Sequence, residues 1–93
     1  MATGPSATAA PPVEVVLGEV VASLAMLAHA YLEPPAAEEG VAAPPDLESA
    51  EIAIDVAGKA FERIQPRVAP DERSALARLL TELRLEYVRK RGL

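Results

Sequence analysis

The twenty residues VEVVLGEVVASLAMLAHAYL, at positions 13–32, constrain the fold of this chain more than any other segment. Three-quarters of them are Val, Leu, Ala, Met or Tyr, and the charged groups are Glu14 and Glu19. At the helical period, the large apolar side chains fall on one arc of about 160°. A surface helix needs a stripe of about 100°. We therefore predict a helix over residues 13–33 that must be buried on more than one side.

Six residues of this segment alternate spacings of four and three, which is the a/d pattern of a coiled coil. We call these six residues the heptad seam: Val13, Leu17, Val20, Leu24, Leu27 and Tyr31. The length is close to the roughly 20 apolar residues that span a bilayer. However, two carboxylates and His29 lie within the segment, and Lys and Arg are absent from the first half of the chain. The pattern favours a helix buried in a helical bundle over a membrane span.

Two other stretches are rich in proline and small residues. Residues 1–12, MATGPSATAAPP, lack large apolar side chains after the first residue, and we predict a disordered Ala/Pro-rich tail there. Residues 34–45 have a double proline at each end and Gly40 between them, which is typical of a linker. Residues 13–93 are then predicted to form a single helical domain.

Two further helices are predicted, over residues 46–65 and 70–90. Asp46 suits an N-cap, Pro66 ends the second helix, and Pro70 suits the first position of the third. The short connection between them predicts an antiparallel hairpin. The two apolar stripes are Leu47, Ala50, Ile54, Ala57, Phe61 and Ile64, then Leu76, Leu79, Leu80, Leu83 and Tyr87. Ile52 and Val56 lie on a different face of the second helix.

The second and third helices contain short sequence segments that resemble those of a small bacterial family known as domain of unknown function 1844. The matching segments are DLESA at Asp46–Ala50, then Ile54–Asp55, APDE at Ala69–Glu72 and LTELRLEYV at Leu80–Val88. Ser23–Leu24–Ala25, then Leu32 and Pro34, match the family's first helix more loosely. The resemblance covers about residues 15–90.

The chain departs from the family's pattern in two places. RIQPR at Arg63–Arg67 stands where the family tends to have a Lys-Thr-x-Gly-Asn turn, and Ala69 replaces a capping Thr. The matching segments are typical of helices, and the resemblance implies no known activity. It implies a helical domain and a bacterial source.

Composition excludes several kinds of site. Cysteine is absent and His29 is the one imidazole, so disulfides, thiolate metal sites and His-rich zinc sites are excluded. Ser23 lies about 120° round the helix from His29, so the two cannot form a nucleophile–base pair on that helix. A net charge of −5, one Phe and two Tyr argue against a nucleic-acid binder. We expect no catalytic residue, cofactor, metal or small-molecule ligand, and a cytoplasmic protein, since no basic signal-peptide region precedes the apolar segment.

Since disulfides and metal sites are excluded, oligomerisation is the remaining way to stabilise so small a core. We predict an all-α protein of three helices, completed as a helical bundle by homodimerisation, that acts as a non-enzymatic interaction or scaffold module. The first helix has more apolar circumference than one hairpin groove can cover, so a second copy or another protein must cover the rest. The predicted interface residues are Leu17, Val20, Leu24, Leu27, Tyr31, Ile52 and Val56.

Two further hypotheses concern charged side chains. Asp55 and Arg84 are predicted to form a polar pair across the hairpin. The basic cluster of Arg84, Arg89, Lys90 and Arg91 allows the chain to act instead as a peripheral membrane or nucleic-acid-associated accessory protein. Helix-dipole complementarity and solubility explain the same cluster more simply. A subunit that supplies residues to a composite active site is a third possibility, and the absence of a nucleophile–base pair argues against it.

Overall fold

The structure is a computed structural model, and it describes residues 9–35, 40 and 43–92. Most of the predicted disordered tail and the middle of the predicted linker, residues 1–8, 36–39 and 41–42, therefore lie outside the described residues. At the one linker glycine that is described, Gly40, the backbone has a φ of +79°, which glycine adopts without strain.

The described residues form three α-helices and no strand, so the protein is all-α. The helices are α1 (Val13–Leu32), α2 (Leu47–Ile64) and α3 (Pro70–Gly92), and a single 3₁₀ turn, Gln65–Arg67, joins the last two. Each end lies within two residues of the position that prolines and caps predict. The agreement arises because local residues set the helix ends. Proline interrupts the backbone hydrogen bonds of a helix, and the Asp46 carboxylate accepts a hydrogen bond from a backbone N–H that has no partner within the helix.

Asp46 fixes the start of α2 and ties it to the end of α1. Its carboxylate accepts hydrogen bonds from the Ser49 backbone N–H at 3.0 Å and from the Ser49 hydroxyl at 2.7 Å. The Asp46 backbone N–H donates to the Tyr31 carbonyl oxygen at 2.9 Å. The backbone hydrogen bond from Ser49, helped by the one from its hydroxyl, lowers the pKa of Asp46. The last turn of α1 and the first turn of α2 are thus held side by side.

The lowered pKa of Asp46 predicts a pH-dependent contribution to stability. The ionised cap stabilises the folded state above the ordinary aspartate pKa of about 3.9, and that contribution is lost as the pH falls through the pKa of the folded state. We expect Asp46→Ala to lower the free energy of unfolding at pH 7, and the loss to shrink at acid pH. Asp46→Asn is the control, because asparagine caps helices without titrating. Urea titrations at several pH values measure this, and an Asp46→Ala loss that is equal at all pH values contradicts it.

The three helices run up, down and up, so that α2 is antiparallel to both of its neighbours. Ion pairs show the parallel course of α1 and α3: the carboxylate of Glu14 lies near Arg67, just before α3 starts, and the carboxylate of Glu33 lies near Lys90 at the far end. The most extensive contact is between α1 and α2. The predicted hairpin of α2 and α3 is present, but α1 packs along it as a full third member.

The core is built where small residues allow the helices to approach closely. On α1 the buried residues are Gly18, Val21, Ala25, Ala28 and Leu32, and on α2 they are Ala50, Ala53, Ile54, Ala57, Gly58 and Ile64. Leu76, Leu80 and Leu83 of α3 close this core. The side of α1 that meets the core therefore lies beside the heptad seam and does not centre on it. Alanines bury less area per residue than leucines, but those of α1 and α2 lie in one core cluster and let the two backbones come together.

Candidate interaction surface

The heptad seam divides into two rows with different exposure. Val13, Val20 and Leu27, spaced seven residues apart, are exposed, and Leu27 keeps 48% of its surface. The other row is half-buried: Leu17, Leu24 and Tyr31. Leu24 and Tyr31 pack against the edge of the core. Val16 is also exposed beside the outer row. The chain thus shelters one row of the seam and leaves the other in water.

Ile52 and Val56 continue this exposed surface onto α2. Ile52 keeps 59% of its surface and Val56 keeps 46%. A groove between the two helices joins Ile52 to the seam. It is lined by Leu24, Leu27 and Tyr31 on one side and by Ser49, Ile52 and Ala53 on the other. We call the heptad seam together with Ile52 and Val56 the apolar face. The groove brings Leu24, Leu27, Tyr31 and Ile52 together. That the seven residues named from the sequence form an interface stays a prediction.

Two charged residues at the rim of the apolar face were not recognised in the sequence as belonging to it. Glu48 lies four residues before Ile52, and Arg63 lies seven residues after Val56, so all four share one side of α2. Both charged side chains are exposed. Neither forms an ion pair with another described residue. The sequence spacing of Glu48 and Arg63 from Ile52 indicates that they share its side of the helix. This spacing becomes informative once Ile52 is known to be exposed.

The predicted pair between Asp55 and Arg84 is wrong in the described structure. Asp55 pairs with Lys59 on its own helix, with Nζ 3.2 Å from Oδ2. The guanidinium of Arg84 instead lies over Gly58, where a Cβ would contact Nη2 and would lie 3.7 Å from Cζ. Lys59, one turn along the same helix, is within ion-pair distance of Asp55. The missing side chain at Gly58 leaves room for the Arg84 guanidinium.

His29 and the basic end of α3 take part in polar contacts between α1 and α3. His29 Nδ1 lies 3.2 Å from Glu86 Oε1, and Lys90 Nζ lies 2.8 Å from Glu33 Oε2. The hydrogen bond that the Lys90 ammonium donates lowers the pKa of Glu33. Arg91 lies over the ring of Tyr87, with Cζ 5.7 Å from the centroid.

These contacts give the predicted basic cluster structural partners. Lys90 is neutralised by Glu33, while Arg84 lies between α2 and α3, on another side of the helix from Lys90. The positive charge left to meet a lipid headgroup or a phosphate is therefore smaller and more dispersed than the sequence suggests. Binding to a membrane or nucleic acid through the C-terminal end stays a prediction.

The other end of the α1–α3 contact also carries an ion pair. Arg67 Nε lies 3.1 Å from Glu14 Oε1, although the direction is too oblique for a hydrogen bond and leaves this buried oxygen without one. Glu14 and Glu72 approach Gly18 in the same groove. Among the described residues, no three His, Cys, Asp or Glu side chains come together as metal ligands would.

Of the described helices, α1 has a length and composition that would suffice to cross a bilayer. The mean hydropathy of its most apolar window is 1.8, and 22% of that window is buried by the rest of the chain. A core helix of a soluble protein or a signal sequence has the same properties. The low buried fraction still matters here, because it shows that α1 is covered by its own chain on one side.

No family model matches this chain, and no curated protein or solved structure matches it either. The resemblance to domain of unknown function 1844 therefore stays a prediction, and the geometry of the apolar face carries the functional argument.

Proposed function

We propose that this chain is a non-enzymatic helical interaction module that acts through its apolar face, and that a second copy of the chain covers this face and completes a helical bundle. The proposal includes a cytoplasmic location, which rests on the sequence alone. One observation carries the proposal: Val20, Leu27, Ile52 and Val56 are exposed together along two adjacent helices.

The apolar side chains that this face exposes to water would gain free energy if a partner buried them. Burying an apolar side chain of this size stabilises by about 1.5–3 kcal/mol when it is fully exposed beforehand. The side chains of the outer row are about half exposed, so each retains about half of that free energy for a partner. Soluble monomers seldom leave extended apolar patches in water. Covering the face therefore stabilises both copies, in a chain whose own core is small.

The charged chemistry of the chain supports a binding role over catalysis. His29 faces Glu86 across two helices, and the other ion pairs also join one helix to its neighbour or lie along one helix. These groups hold helices in place. The exposed residues of the apolar face, in contrast, remain available to a partner: Val13, Val20, Leu27, Ile52 and Val56.

Thermal unfolding at several protein concentrations tests this proposal. If folding is linked to self-association, mass action raises the apparent free energy of unfolding by about 1.4 kcal/mol for each tenfold increase in concentration. We expect the unfolding midpoint to rise steadily with concentration. A midpoint that is the same across a hundredfold range contradicts association with a second copy. The same scans with anionic vesicles at low and moderate salt test the membrane alternative, since electrostatic binding weakens with salt.

A further inference from the structure

The heptad seam has the same spacing when it is read in either direction, and its centre lies at residue 22. Two such seams can therefore pack antiparallel in register. Each position then meets a different position of the second copy, and valine is opposed by a larger side chain. The three pairs are Val13 with Tyr31, Leu17 with Leu27, and Val20 with Leu24.

The exposed side of α2 has its own centre of symmetry. Glu48 lies at one end and Arg63 at the other, with Ile52 and Val56 between them, and the midpoint between the two charges lies next to Val56. Reversing a second α2 over the first places each Glu48 opposite an Arg63. A helix with unlike charges at its two ends is thus complementary to its own antiparallel copy.

The two centres lie at the same height along the chain's helices. The backbones of Tyr31 and Asp46 are hydrogen-bonded, and α1 and α2 run in opposite directions from that point. Nine residues back along α1 is Ala22, and nine residues forward along α2 is Asp55, beside Val56. Val21 and Ala57 also belong to one cluster of the core. One two-fold axis therefore serves both helices.

A two-fold axis parallel to the helices fits the side chains less well. It would place α1 of one copy over α2 of the other, with residues of equal height together. Arg63 would then face the valines at the start of α1, and Glu48 would face the region of Tyr31. Both charges would lose water without gaining an opposite charge, which is costly.

We propose that two copies of this chain pack with α1 on α1 and α2 on α2, antiparallel, about an axis beside Val56, and that Glu48 of each copy pairs with Arg63 of the other. This arrangement rests on the proposed function and assigns it a partner surface and a register. The two symmetric ion pairs select the antiparallel register, while the apolar face supplies the affinity.

Single-cysteine variants of the full chain test the position of the axis, because the natural sequence has no cysteine. A disulfide needs Cα atoms about 4.4–6.8 Å apart. In the proposed dimer, Val56→Cys places its two thiols on either side of the axis, where such an approach is expected. Ile52→Cys is the matched control, since it lies about 3.5 residues from the axis, which separates its two Cα atoms by about 10 Å along the helices. We expect rapid oxidative cross-linking of the Val56→Cys variant and little of the Ile52→Cys variant.

A charge exchange tests the register independently. Glu48→Arg and Arg63→Glu should each weaken self-association about tenfold at low salt, because each creates two like-charge contacts in a dimer. The double variant should return to within about threefold of the natural chain. Glu51→Arg, an exposed charge in the α2–α3 groove, should change nothing.

The outcomes separate this arrangement from the function on which it rests. If the natural chain is a dimer but the two cysteine variants cross-link equally, or if the double charge variant does not recover, the arrangement is overturned and the interaction function stands. If the natural chain is a monomer at all concentrations, both are overturned. Selective cross-linking at position 56 together with recovery of the double variant supports both.

Discussion

Leu27→Asp should turn the associated protein into a monomer. Leu27 is in the exposed row of the heptad seam and lines the groove that leads to Ile52 on α2. In a dimer each substitution removes a contact and buries a carboxylate without a partner, and the desolvation of such a charge costs several kcal/mol. We expect the dissociation constant to rise by about a hundredfold or more. Sedimentation velocity across a concentration series measures this directly.

Met26→Asp is the matched control for this substitution. Met26 is 74% exposed, is equally apolar, and lies next to Leu27 in the chain, but its side chain lies in the groove between α1 and α3. It should leave self-association unchanged. Equal losses for the two variants would mean that the charge disturbs the helix itself. An unchanged dimer after Leu27→Asp would mean that the apolar face is not where the copies meet.

Leu80→Ala should give the largest loss of stability in the folded chain. Leu80 is 1% exposed, and it packs with Val21 of α1 and Ala57 of α2, where all three helices meet. Truncating a buried leucine removes transfer free energy and leaves a cavity, which together cost about 2–5 kcal/mol. A chain of this size has little stability to spare. Urea denaturation at one fixed protein concentration measures the loss.

Leu85→Ala controls for the chemistry of the Leu80 substitution, because Leu85 is on the same helix but 54% exposed. It should change the free energy of unfolding by less than about 0.5 kcal/mol. If Leu80→Ala does not fold, Leu80→Met keeps the volume and should cost less than about 1.5 kcal/mol. Similar losses at positions 80 and 85 would contradict the packing of α3 described above.

The sequence predicts the helices well because local chemistry decides where they begin and end. Pro34 and Pro66 cannot continue a helix, Pro70 fits a first turn, and the Asp46 carboxylate caps α2 without help from the rest of the fold. The side of α1 that enters the core was harder to predict, because both candidate sides are apolar. The side of α1 with Ala25 and Ala28 is buried, because close approach to α2 requires small side chains. Hydrophobic periodicity carries no information about side-chain size.

The candidate site shows the same limit. Periodicity separates Ile52 and Val56 from the stripe of α2 that enters the core, and both are exposed in the structure. Their place beside the heptad seam depends on the antiparallel course of α1 and α2, which appears only in three dimensions. The partner of Arg84 was predicted wrongly because charge pairing was considered without shape. The space over Gly58 is what receives that guanidinium.

The solution mass of the full natural chain tests the central claim most directly. Sedimentation equilibrium at micromolar to millimolar concentrations, at moderate salt, gives this mass without a label or a partner. We expect about twice the 9.8 kDa of one chain at the upper concentrations, with reversible dissociation on dilution. A mass of 9.8 kDa over the whole range would show that the apolar face stays in water, and would contradict the claim that a second copy covers it.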